Sequence, residues 1–137
     1  MSTEENKAIM RRFSEAINQK NLAIWDEVCT ASCISHDPPP GEITLENYKK
    51  GVSGWLATYP DWQLTINDEM AMGDKAVVRL TGSGTHAPTG KKVSMAIISI
   101  ARIVDGKIVE MWTNCDYLGL YQQLGFELVP SKGESEG

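Results

Sequence analysis

The sequence has little of what usually names a function outright. No apolar run comes near the ~20 residues needed to span a bilayer, so no membrane partner is expected. Histidine occurs twice and cysteine three times in 137 residues. An odd number of thiols, behind opening residues (Met1 to Lys7) that are polar and acidic, predicts neither a disulfide framework nor a leader peptide, and points to the cytoplasm. Cations are also sparse. Thirteen Lys and Arg stand against eighteen Asp and Glu, for a net charge of −5. Arg11-Arg12, Lys49-Lys50 and Lys91-Lys92 are pairs and not runs, which argues against nucleic acid as a partner, because phosphate binding needs clustered cations. Only Cys29, Cys33 and His36, with Asp37 beside them, gather metal-ligating side chains. Structural zinc takes two well-spaced ligand pairs, so buried thiols and no metal are expected here.

What is present is an ordinary globular mixture, 42% apolar and 23% charged, enough for one core without staples. Ser2 and Glu5 have capping-box spacing ahead of a helix from about Thr3 to Gln19, with Ile9, Phe13, Ala16 and Ile17 on one face. Asn21 is placed to cap a short second helix through Trp25 and Val28. A short extended piece, Cys33 to His36, ends at the stiff run Asp37 to Gly41 with its three prolines. Thr44 then caps a third helix carrying Leu45, Tyr48, Val52, Trp55 and Leu56, which stops before Tyr59-Pro60.

From Trp62 onward the period becomes two. Trp62, Leu64 and Ile66 alternate with polar neighbours, and Gly73-Asp74 marks a turn. Ala76, Val78 and Leu80 alternate again up to Gly82 and Gly84, which lie on one side of the strand and would permit a bend or bulge. Val93 to Val104 is the longest strand, Asp105-Gly106 a tight hairpin, and Ile108 to Cys115 the return. A closing helix, Tyr117 to Leu124, ends at Gly125. The predicted fold is α+β: three N-terminal helices packed on a curved four-stranded antiparallel sheet, with a short C-terminal helix. Residues 1–127 form one domain, and 128–137 read as a disordered tail.

The strand Val93 to Val104 is apolar on both sides. One carries Val93, Met95, Ile97, Ala101 and Ile103, the other Ala96, Ile98, Ile100 and Val104. Such a strand needs a partner on each face, and a second copy of the chain is the simplest cover for the face the helices leave open. A homodimer is therefore expected.

The helical lead, the His36-Asp-Pro-Pro segment, the ending Ile103-Val-Asp-Gly-Lys-Ile-Val-Glu and the stretch Asp116-Tyr-Leu-Gly-Leu-Tyr-Gln-Gln-Leu-Gly125 together resemble the SnoaL-like polyketide cyclase family, of the nuclear-transport-factor-like, or cystatin-like, cone fold. The resemblance runs from about Asn6 to Gly125. It implies a conical cavity between sheet and helices and a dimer formed on the sheet's outer face. For the true cyclases it implies an aldol ring closure by an aspartate on the last strand, without cofactor or metal. The matching position is Thr113, in Met111-Trp112-Thr113 where relatives often read His-Trp-Asp. A pocket histidine of some cyclases falls near Ser99. Both replacements remove a titratable group, and acid–base catalysis needs one tuned towards the working pH.

His36 and Asp116 are the remaining catalytic candidates, the first as a proton carrier, the second equally placed to cap the closing helix. Thr113, Ser99, Met111, Met95, Tyr48 and Trp55 are the expected pocket-lining residues, with Val109 and Cys115 on the strand face of Thr113. Two functions stay open: a cofactor-independent cyclase, isomerase or hydrolase for a small carbonyl compound, and a module that binds a small hydrophobic molecule without reaction.

Overall fold

A computed structural model describes residues 2–37 and 41–132. The proline run, the side chain of Asp37 and residues 133–137 of the expected tail lie outside the described set. The chain opens with α1 (Thr3–Asn18), where Ser2 accepts the amide of Glu5 at 3.1 Å. A single 3₁₀ turn, Leu22–Ile24, leads into α2 (Trp25–Val28). Asn21 makes no capping bond with its side chain, contrary to expectation. Two strands follow, β1 (Cys29–Asp37) and β2 (Gly41–Thr44), before α3 (Leu45–Thr58), capped by Thr44. Then come β3 (Gln63–Met72), β4 (Lys75–Thr85), β5 (Lys92–Val104), β6 (Lys107–Cys115) and α4 (Tyr117–Gln123).

The sheet therefore has six strands, ordered β2-β1-β6-β5-β4-β3, and is mixed. This corrects the expected four-stranded antiparallel sheet. The extended piece before the prolines is a full strand, hairpinned to β2 and parallel to β6, with Ser35 opposite Met111. The third helix thus follows the first two strands instead of preceding the whole sheet. The later hairpins form at the expected turns. Asp105 and Gly106 both take positive φ (50° and 79°), the twist that a two-residue hairpin needs.

Two bulges set the faces. In β3 the register shifts between Ile66 and Asp68, which brings Glu69 to the helix side, where Arg11 of α1 grips it through two bonds of 2.7 and 2.8 Å. In β6 two residues, Ile108 and Val109, span one step of β5. Ile108, wholly buried, and not Val109 joins the inward row with Met111, Thr113 and Cys115. At the open edge, Asn18 of α1 exchanges two bonds with the backbone of Leu64, satisfying part of β3 that no strand covers.

Two apolar clusters fill the inner side. In the first, Phe13, Trp25 and Tyr48 from three helices converge. Phe13 stacks on Trp25 at 4.4 Å and 9°, and the Trp25 indole donates to the carbonyl of Phe13 at 2.9 Å. The second gathers Tyr59, Trp62, Val93, Met95, Leu120 and Leu124. Gly82 and Gly84 serve this cluster. The register of β4 with β5 runs unbroken past them, so they mark no bulge. The indole of Trp62 lies on them instead, and a Cβ at Gly82 would come within 2.2 Å of its ring.

The outer face carries a polar row. Glu110 accepts from Arg102 at 2.8 Å and meets His36 at 2.8 Å, and the His36 ring stacks on Trp112. The Arg102 bond first, and the His36 bond second, hold the Glu110 carboxyl below its ordinary value of 4.5. A carboxylate with a depressed folded pKa adds stability at neutral pH that disappears as pH falls through that lower value. Wild type is expected to lose urea resistance more steeply on acidification than Glu110→Gln, the two converging in acid. Urea midpoints taken across the acid range would check this.

At the closing helix the Asp116 carboxylate accepts the amide of Gly119 at 3.0 Å, and a Cβ at Gly119 would sit 2.2 Å from that carboxylate. Asp116→Ala is expected to cost about 1 kcal/mol and Gly119→Ala a similar amount, because both unseat the cap. Chemical denaturation of the two single variants and the double variant would show non-additive losses if one contact is shared.

Candidate functional site

Between the two clusters lies a cavity of about 260 Å³. Phe13, Ile17, Tyr48 and Val52 bound it on the helix side, and Leu64, Leu80, Met95 and Ile97 on the sheet side. Trp55, Trp62 and Tyr117 add aromatic surface, and Ile43 and Asn47 contribute from β2 and α3. Among the described residues, no Asp, Glu, His, Lys or Arg lines it. The side chains of titratable type on the lining are two phenols, Tyr48 and Tyr117, and the Cys115 thiol.

The polar feature of the sheet wall is a hydroxyl pair. Ser99 of β5 and Thr113 of β6 are direct cross-strand partners, and their oxygens lie 2.9 Å apart. Both are buried, with 8% and 9% of their surface exposed. One O–H satisfies the pair, which leaves the other hydroxyl proton and several lone pairs for a third oxygen. Ser14, the other aliphatic hydroxyl on the lining, is already committed to the carbonyl of Met10 at 3.1 Å.

The structure brings Thr113, Ser99, Met95, Tyr48 and Trp55 to this one cavity. Met111 does not line it. It lies opposite Ala101, where the small partner leaves room for its side chain, and fills the first cluster. His36 and Asp116 do not line it either. Alternation along β1 turns His36 to the outer face with Glu110 and Trp112, while Asp116 is exposed and engaged as a cap. His86 bonds Thr89 at 2.8 Å in the loop before β5. Cys29 and Cys33 are buried. The hydrogen bond with Cys33, then burial, pushes the Cys29 thiol well up, and a thiol held protonated is a poor ligand or nucleophile. No group of three His, Cys, Asp or Glu among the described residues is placed to hold a metal ion. No helix among them is long and apolar enough to cross a membrane.

Sequence reasoning did not assign Trp62, Phe13, Leu64 or Tyr117 to the cavity. For Trp62 a signal existed: two same-side glycines on one strand imply that something large lies against them.

The model of the SnoaL-like polyketide cyclase family matches residues 7–124. Similar solved structures include IdmH, a candidate polyketide cyclase from Streptomyces antibioticus. It is 28% identical with a TM-score of 0.81, over 87% of this chain and 97% of that one. AclR, a candidate hydroxylase from Streptomyces galilaeus, is 29% identical with a TM-score of 0.84, over 90% and 98%. A candidate polyketide cyclase from Bacillus cereus is 30% identical with a TM-score of 0.80, over 88% and 80%. No curated protein matches. The match of the family model over most of the chain, on an α+β cone with a cavity between its helices and its sheet, places the protein in the SnoaL-like polyketide cyclase family.

Proposed function

We propose that the chain binds a small, uncharged, hydrophobic molecule in the cavity and holds one of its oxygens at the Ser99–Thr113 pair. The observation that carries this reading is the pairing of those hydroxyls at 2.9 Å in a wall otherwise apolar. A few convergent polar atoms in an apolar, aromatic cleft suit a ligand that is oriented by one carbonyl or hydroxyl. By the resemblance, these two positions are where cyclases carry a histidine and an aspartate. A Ser–Thr pair keeps the hydrogen-bonding reach and gives up the titratable groups, which favours recognition over acid–base ring closure.

A catalytic reading has one observation in its favour: Tyr48, Tyr117 and Cys115 reach the same cavity. A cofactor-independent isomerisation or ring closure of a carbonyl compound would have to draw its proton transfer from them. His36 and Asp116 have no part in it, and turnover abolished by His36→Ala or Asp116→Asn would overturn that placement.

We infer also that two copies pair through the outer face of the sheet. Ile98 and Met70 are 45% and 56% exposed there, and covering them is favourable at roughly 25 cal/mol per Å². Light scattering at micromolar concentration is expected to give twice the chain mass, and a single-chain mass would overturn the pairing.

The double variant Ser99→Ala, Thr113→Val tests the binding site. Replacing both partners with apolar groups of similar shape leaves no orphaned hydroxyl, so stability should stay near wild type. Wild type is expected to prefer an aromatic ketone to the hydrocarbon of the same shape, and the double variant to lose about tenfold of that preference. Calorimetric titration with acetonaphthone and isopropenylnaphthalene measures both. An unchanged ratio would overturn the role of the hydroxyl pair.

A further inference from the structure

The size of ligand that the cavity takes depends on its volume and on which of its walls can move. Three observations bear on this. The first is volume: about 260 Å³, against an apolar cavity of about 150 Å³ that admits benzene. The ratio is a little under two, enough for a second fused ring and short of a third.

The second is the fixity of the wall opposite Phe13 and Tyr48. Trp62 is buried, and its ring lies across the side-chain-free inner row of β4. A Cβ at Gly82 would meet Cζ2 at 2.2 Å, and one at Gly84 would meet Cε3 at 2.9 Å. The ring therefore sits about as close to the sheet as any ring can. Its backbone is tied at both ends, the amide donating to the Tyr59 carbonyl at 3.0 Å and the carbonyl accepting from Lys20 at 2.8 Å. Trp55 meets it edge-on, centroids 5.2 Å apart at 81°. An indole confined by sheet, backbone and neighbouring ring cannot swing aside for a larger guest.

The third is charge. With no cationic side chain among the described lining residues, an anionic ligand would lose its hydration and gain no countercharge.

We propose that Trp62, seated on Gly82 and Gly84, is the specificity-determining residue of the cavity and restricts ligands to planar molecules of one or two fused rings, while the lack of a cation on the lining excludes anions. The proposal rests on the binding reading. It adds to that reading the size class, the exclusion of anions and the residue that sets the limit.

A series of aryl methyl ketones tests it: acetophenone, acetonaphthone and acetylanthracene, with naphthoate as the charged counterpart of the second. Affinities are measured by calorimetry on the intact chain. Wild type is expected to bind the one-ring and two-ring ketones, the two-ring one more tightly. Acetylanthracene and naphthoate should each bind about a hundredfold more weakly than acetonaphthone. Trp62→Leu is expected to recover acetylanthracene by about tenfold or more. Gly82→Ala acts in the opposite sense: its methyl lifts the indole into the cavity, so acetonaphthone should weaken about tenfold while acetophenone is kept. Thermal unfolding confirms that each variant is folded. If Trp62→Leu is not, Trp62→Phe takes its place and the glycine variant supplies the independent arm.

Equal affinity of wild type for two-ring and three-ring ketones would overturn the size limit. Equal affinity for acetonaphthone and naphthoate would overturn the exclusion of anions. An unchanged order of ketones in folded variants of both Trp62 and Gly82 would overturn the assignment to Trp62. Each of these leaves the binding reading standing. Wild type that binds no ketone at all would overturn that reading, and this proposal with it.

Discussion

An indole laid flat on a strand that has no side chains to receive it is the constraint on which the interior depends. Had β4 continued its inward row of Ala76, Val78 and Leu80 with another apolar residue, Trp62 would have been lifted from the sheet and the space between the two clusters would have closed. The opposite wall is fixed by a different device. Trp25 is locked by its hydrogen bond to the Phe13 carbonyl, and the Phe13 ring is in turn locked by stacking on Trp25. The cavity is the gap left when two rigid aromatic groups are each held from behind, and neither wall has lower-energy space to move into.

This arrangement explains why so little polarity is needed inside. The charged residues do their work outside the cavity, where Arg11 clamps α1 to β3 and Glu110 joins β5 to β1 across β6. Polar atoms near the cavity are mostly spoken for, as Ser14 is by the carbonyl of Met10. The Ser99–Thr113 pair differs because two hydroxyls facing each other cannot use all their donors and acceptors on one another. Its chemistry is that of recognition: it can orient an oxygen, whereas proton transfer at neutral pH calls for a more acidic or more basic group.

Much of the fold was legible in the sequence, for identifiable reasons. α1, α3, β3 and β4 announce themselves because each buries one face against a single layer, which produces a clean period, and β5 and β6 do so through their length and the Asp105-Gly106 turn between them. β1 did not, because Cys29-Thr-Ala-Ser-Cys-Ile-Ser-His carries small and polar residues on both sides, and its principal partner lies far along the chain. The bulge at Val109 was hidden for a related reason, since an extra residue in a strand shows only when the partner's register is known. At the site, Ser99 and Thr113 were found separately through the family pattern, while their contact with each other depends on the same register. The placement of His36 went astray because one step along a strand exchanges inside for outside, and the residues that draw it outward, Glu110 and Trp112, belong to another strand.

The parallel pairing of β1 with β6 has a consequence for how the protein is made. On the edge away from β2, residues 29–36 pair with residues 108–112, so the hairpin of β1 and β2 emerges from the ribosome long before the strand that completes it. Until then its inner edge, backbone amides and carbonyls included, has no strand to meet, and closing so long a loop is slow because its entropy is lost before any contact is gained. The four-strand meander can form progressively as it is synthesised, whereas the early hairpin must wait. The period of greatest exposure to misassembly therefore belongs to the first third of the chain and ends only with the last strand.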